Sequence, residues 1–114
     1  AKRYALFIDT DVHGPPNWGP AMDVVRSIGQ LASSSVFLAK ESPQSKDAEW
    51  LSKLEALGIA AKIIPAREGS FEMVAEASES ILEGKADAIA LAVKPGDFDF
   101  LSTKIRDGVS TFKQ

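Results

Sequence analysis

The chain is predicted to be an α/β protein: a three-layer, open, mostly parallel five-stranded sheet with helices on both faces. Three observations predict it. Apolar runs and helical-period segments alternate from end to end. Residues 4–8 and 88–93 are apolar without alternation, which suits strands covered on both faces. Turns containing Gly or Pro separate the segments at the spacing of βαβ units. Right-handed crossovers between parallel strands then distribute the helices over both faces.

Each element has its own signal. The first strand, residues 4–8, runs into Ile8-Asp9-Thr10-Asp11 and a loop, His13-Gly14-Pro15-Pro16-Asn17. Ala21, Val24, Val25, Ile28 and Leu31 then recur at helical spacing. Residues 36–39 predict a short second strand, closed by Ser42-Pro43. Trp50, Leu51, Leu54 and Leu57 mark a second helix with Gly58 as its stop. Residues 61–64 form a third strand ended by Pro65. Phe71, Val74, Ala75, Ser78, Ile81 and Leu82 are expected as the buried stripe of a third helix that ends at Gly84. After the fourth strand, Pro95-Gly96 turns the chain into a helix carrying Phe98, Leu101 and Ile105, with Gly108 at its end. Residues 109–112 are expected as the fifth strand.

Bulk properties bound the function. At 114 residues, residues 1–114 read as one domain with a core of its own, expected to be part of a longer protein. Apolar residues make up 45% and charged residues 25%, which argues against disorder. The absence of cysteine excludes disulfides and thiolate metal sites and permits a reducing, cytoplasmic setting. No apolar run approaches the roughly 18 residues of a membrane span, so no membrane partner is expected. A net charge of −3 disfavours tight nonspecific binding to nucleic acid. A local basic rim remains available from Lys40, Lys94, Lys104 and Arg106.

The acidic residues are placed more tellingly than they are numerous. Ligands of open α/β sheets bind beyond the carboxyl ends of the strands, where strand order reverses. Asp9 and Asp11 stand at the end of the first strand, and Asp97 and Asp99 follow the fourth. All four are expected at one cleft. Taken alone, Asp97 reads as a helix cap, Asp99 as a first-turn acid and Asp11 as a turn residue. Asp9, directly after five apolar residues, needs a stabilising partner. Facing carboxylates are usually reconciled by a hard divalent cation. On the third helix Glu72, Glu76, Glu79 and Glu83 form a stripe that reads mainly as a solvated face, and only Glu72, in the first turn, lies near the cleft. His13 is the only histidine, so no histidine cluster exists. Trp50 reads as core. Trp18 reads either as a base-stacking residue or as a staple for the helix start.

The stretch Tyr4-Ala5-Leu6-Phe7-Ile8-Asp9-Thr10-Asp11 resembles the opening of NYN domains, members of the PIN-like nuclease superfamily. Ala90-Leu91-Ala92-Val93 followed by Gly96-Asp97-Phe98-Asp99-Phe100 resembles their late strand and acidic motif. The next helix, with Arg106-Asp107-Gly108 leading into a last strand, also fits the family pattern. The resemblance implies a carboxylate cluster that binds Mg²⁺ or Mn²⁺ and cleaves RNA, single-stranded RNA above all, as a metal-dependent endoribonuclease. Carried over by position, Asp9, Asp97 and Asp99 are the metal ligands and Glu72 the helix acid. Thr10, Asp11, His13 and Lys94 flank them as substrate-binding residues. Thr10 stands in place of the family's Gly and Val12 in place of its Asn. Ser70 stands where the third helix usually carries an Asp, and Lys94-Pro95 adds a residue before the last motif.

Two alternatives stay open at this level. One is a catalytically degenerate NYN-type domain that binds RNA or protein. The other is a haloacid-dehalogenase-like phosphatase, in which Asp9-Thr10-Asp11 supplies nucleophile and acid/base and Lys94 or Lys85 faces the phosphate. A receiver domain is disfavoured, because Ile64-Pro65-Ala66 stands where its phosphoacceptor Asp belongs.

Overall fold

The computed structural model describes residues 1–9 and 18–113, with side chains described as far as residue 110. Four strands and four helices alternate: β1 (Arg3–Asp9), α1 (Trp18–Ile28), β2 (Gln30–Ala39), α2 (Ala48–Ala56), β3 (Ala60–Ile64), α3 (Gly69–Leu82), β4 (Ala88–Ala92) and α4 (Pro95–Lys113). The sheet is parallel throughout, in the order β3-β2-β1-β4. This is an α/β architecture compatible with a Rossmann-like fold.

Alternation along the strands feeds two cores. Leu6, Ile8, Val36 and Leu38 face α1 and α2 and pack with Trp18, Met22, Val25, Trp50 and Leu54. Ala5, Phe7 and Phe37 point the other way, beneath Met73 and Ala77 of α3 and Leu101 and Ile105 of α4. Trp18 and Trp50 meet edge to face with centroids 5.2 Å apart. Trp18 is fully buried, so it is a core residue and has no face left for a base.

Helix ends follow local chemistry. Asp47 caps α2 by accepting from the Trp50 N–H at 3.2 Å. Gly58 and Gly84 end α2 and α3 at φ +77° and +72°, a conformation that favours a residue without Cβ. The Ile59 N–H donates to Leu54 O and the Lys85 N–H to Ser80 O, as in a Schellman closure.

Four expectations are corrected. There is no fifth strand among the described residues: residues 109–113 belong to α4. Val109 stands one helical turn beyond Ile105 and packs on the same core, so the helical period runs on through Gly108. β4 is therefore the edge of the sheet. Gly108 is not a stop but a point of close approach, since a Cβ there would lie 3.0 Å from Ser78 Oγ on α3. β2 starts at Gln30 rather than at residue 36, taking Leu31 and the serine run out of helix and loop. Its backbone pairs with β1 from Arg3 onwards, with an irregularity between Tyr4 and Ala5, and small serines fit the covered positions 34 and 35. On α3 the buried residues are Met73 and Ala77; Phe71, Ala75 and Leu82 are exposed, and Val74, Ser78 and Ile81 are half-buried. No helix among the described residues is long and apolar enough to cross a membrane.

Candidate functional site

Strand order turns the chain one way from β1 through β2 to β3, then returns it to the other side of β1 at β4. The reversal lies between β1 and β4, where such sheets hold their ligands beyond the carboxyl strand ends. A crevice of about 230 Å³ opens beside this point, beyond the carboxyl ends of β1, β2 and β3, with Lys94 and the start of α4 closing the side towards β4. Asp9, the last residue of β1, lines it together with Lys94, Asp97 and Ser70. Phe37, Met73 and Leu101 supply its apolar wall.

Local rules place each polar group. Asp9 ends β1 directly after four buried residues and is itself half-buried. Pro95 opens α4, where its missing N–H has no intrahelical partner to lose. The N–H groups of Asp97 and Phe98 both donate to Lys94 O, at 2.9 and 3.2 Å, tying Lys94 to the helix start. Asp97 thus sits inside the first turn, where the helix dipole favours a carboxylate. Across the crevice, Glu41 accepts from the Ala66 N–H at 3.1 Å and joins the loops after β2 and β3.

The structure brings together Asp9, Asp97 and Lys94 among the expected residues. Asp99 and Glu72 do not line the crevice. Because Pro95 starts a helix, Asp97 and Asp99 lie two residues apart on it, about 200° round, and point in different directions. On α3 the residues turned to the crevice are Gly69, Ser70 and Met73, and Glu72 falls one step off that face. Glu76 is engaged elsewhere, 3.3 Å from Lys62 Nζ. Lys85 pairs with Glu83 at 3.0 Å before β4 begins, at the opposite end of the sheet from the crevice, and does not line it. Thr10, Asp11 and His13 lie outside the described residues. Ser70 is a lining residue that a pattern of carboxylates does not reveal; its place at the start of α3 was the available signal.

Among the described residues no group of three or more Asp, Glu or His converges as a metal cage. Two carboxylates facing one crevice still suit Mg²⁺, which keeps several waters and is usually held by one or two carboxylates plus substrate phosphates. Compared with known proteins, the chain matches no family model, no curated protein and no solved structure.

Proposed function

We propose that this chain is a divalent-metal-dependent ribonuclease-like domain of the NYN type, cleaving RNA phosphodiesters at the crevice beyond the carboxyl ends of the strands. One observation carries the reading: Asp9 and Asp97, from opposite ends of the chain, line a single crevice together with the cation Lys94. Asp9 and Asp97 would hold the ion. When bound, Mg²⁺ or Mn²⁺ supplies polarisation of a phosphoryl oxygen and a bound water of lowered pKa. Lys94 offers an ammonium to the phosphate as a point charge, and Ser70 offers a hydroxyl donor. The wall of Phe37, Met73 and Leu101 keeps water from one side of the crevice, so these charges are less screened there than on open surface.

The test is cleavage of an end-labelled single-stranded RNA in Mn²⁺. Cleavage that stops with EDTA and in Asp9→Asn supports the reading; an intact RNA after prolonged incubation with excess wild-type protein overturns it. The positions of Asp99 and Glu72, away from the crevice, favour a second reading, in which the domain binds RNA without cutting it. That reading expects RNA binding that survives both EDTA and Asp9→Asn.

A further inference from the structure

The two edges of the sheet are finished differently. β3 carries Lys62 at its centre and Pro65 just past its end, and both discourage a further strand from adding. β4 reads Ala88-Ile89-Ala90-Leu91-Ala92, with no charge and no proline. Its register against β1 runs without a bulge. All five residues are half-buried, whereas residues 5–8 of neighbouring β1 are buried. Among the described residues β1 is the only strand that pairs with β4, so a row of β4 backbone N–H and C=O groups faces outwards. A flat apolar edge of this kind is a template for another strand.

Side-chain size in β4 selects a second copy of itself. The strand is nearly palindromic about Ala90. Antiparallel pairing about a two-fold axis through Ala90 sets Ala90 against Ala90, Ile89 against Leu91, and Ala88 against Ala92. Directly opposed residues share a face of the sheet. Large therefore meets large on the face where Ile89 and Leu91 pack, and small meets small on the face of Ala90 and Ala92. A two-fold interface requires this self-complementarity, because each patch meets its own copy.

The same axis matches charge on α4. A groove runs along the edge, between Ile89 and Leu91 on the strand and Phe98, Ser102, Arg106 and Val109 on the helix. It spans residues 98–110 of α4 beside residues 89–91, so the middle of α4 stands level with Ala90. The axis then runs two α4 helices antiparallel, with their centres adjacent. Asp99 and Arg106, seven residues apart, lie within about 20° of each other round the helix. Both are exposed, and neither forms an ion pair among the described residues. Antiparallel helices bring Arg106 of each copy towards Asp99 of the other. Asp99 is also the acid of the late motif that does not line the crevice.

We infer that two copies of this chain pair antiparallel through β4, joining their four-stranded sheets edge to edge, with Asp99–Arg106 ion pairs between the flanking α4 helices. Such a dimer is independent of the reaction at the crevice. Sedimentation equilibrium up to about 100 μM protein should give twice the chain mass of 12.2 kDa. Arg106→Asp and Asp99→Arg should each weaken dimerisation by about 10-fold or more, since like charges then face each other. Combining the two in one chain should restore it. The chain has no cysteine, so Ala90→Cys reports the strand pairing directly. Opposed Cα atoms of an antiparallel pair lie about 5 Å apart, within reach of a disulfide. Mild oxidation should cross-link Ala90→Cys and leave Ala60→Cys, on the β3 edge, as single chains. Thermal melts by circular dichroism confirm that the variants are folded. Wild type at the mass of one chain throughout overturns the inference. A dimer that both charge variants leave intact, that the combined swap does not restore, or in which Ala90→Cys stays uncrosslinked also overturns it, because the copies then meet through another face.

Discussion

The two ends of the sheet are built on opposite principles. At the amino end of β1 and β4, polar groups are matched to one another. The Arg3 backbone N–H and Nε both donate to Asp87 Oδ2, at 3.0 and 3.3 Å, and Nη2 donates to Oδ1 at 3.1 Å and to Gly84 O at 3.0 Å. The Asp87 N–H returns a bond to Arg3 O at 2.8 Å. Gly29 packs so closely there that a Cβ would lie 2.5 Å from Lys2 O. At the carboxyl end, Asp97 and Lys94 face a crevice and Phe71 and Phe100 face outwards. Groups that hold the fold satisfy each other at one end, whereas groups that suit a ligand are gathered at the other. In a parallel sheet this division is natural, because every crossover delivers a helix N-terminus and a connecting loop to the carboxyl end.

The contrast is tested most severely at the carboxyl end. Asp97→Asn and Asp9→Asn are expected to reduce Mn²⁺-dependent RNA cleavage to background. Asp97→Asn should change stability by no more than about 1 kcal/mol, since a first-turn acid contributes only that much through the helix dipole. A large loss of melting temperature in that variant would mean that the crevice acids are structural after all. At the amino end the order reverses. Gly29→Ala should destabilise by about 1–3 kcal/mol, because the new Cβ meets backbone and the Tyr4 ring, neither of which can move cheaply. Denaturant unfolding measures this, with cleavage per folded molecule unchanged.

The smallest effect expected is that of Asp87→Asn. Hydrogen bonds from Arg3 hold the Asp87 carboxyl below its ordinary value of 3.8. A carboxylate whose value is lowered on folding stabilises the protein fully above that ordinary value and loses the contribution as pH falls through the lowered one. Wild type should therefore melt slightly above Asp87→Asn at neutral pH; the gap should begin to close as pH falls below about 3.8 and vanish only below the lowered value. Curves that coincide at neutral pH would show that the bidentate pair contributes nothing, and a gap that persists unchanged to acid pH would show that it does not arise from the carboxylate's charge.

Much of the architecture was legible in the sequence, for identifiable reasons. β1 and β4 were plain because a buried parallel strand carries apolar residues on both faces, and Gly58 and Gly84 marked helix ends that need positive φ. β2 was half hidden, since Ser33, Ser34 and Ser35 join the sheet through their backbone pairing with β1 rather than through apolar side chains, and Ala32 falls at the irregularity in that pairing. α3 was misread by one step, because Phe71 looks like a core residue whether or not the core reaches it. Residues 109–112 carry a strand-like composition, yet one more turn on the face of Leu101 and Ile105 kept them helical. Of the acids, Asp9 was placed by the end of its strand, whereas Asp97 and Asp99 were separated only by the start of α4 at Pro95.

By itself the sequence determined the alternation of elements, the covered strands and a carboxylate at the end of β1, because these depend on local pattern and on rules common to parallel sheets. The tertiary structure decided the rest: four strands with β4 at the edge, which acids share the crevice, and which aromatic rings stand outside the core. Those outcomes depend on helix phase and on how closely two helices approach, and a register such as Gly108 against Ser78 exists only once distant segments have packed.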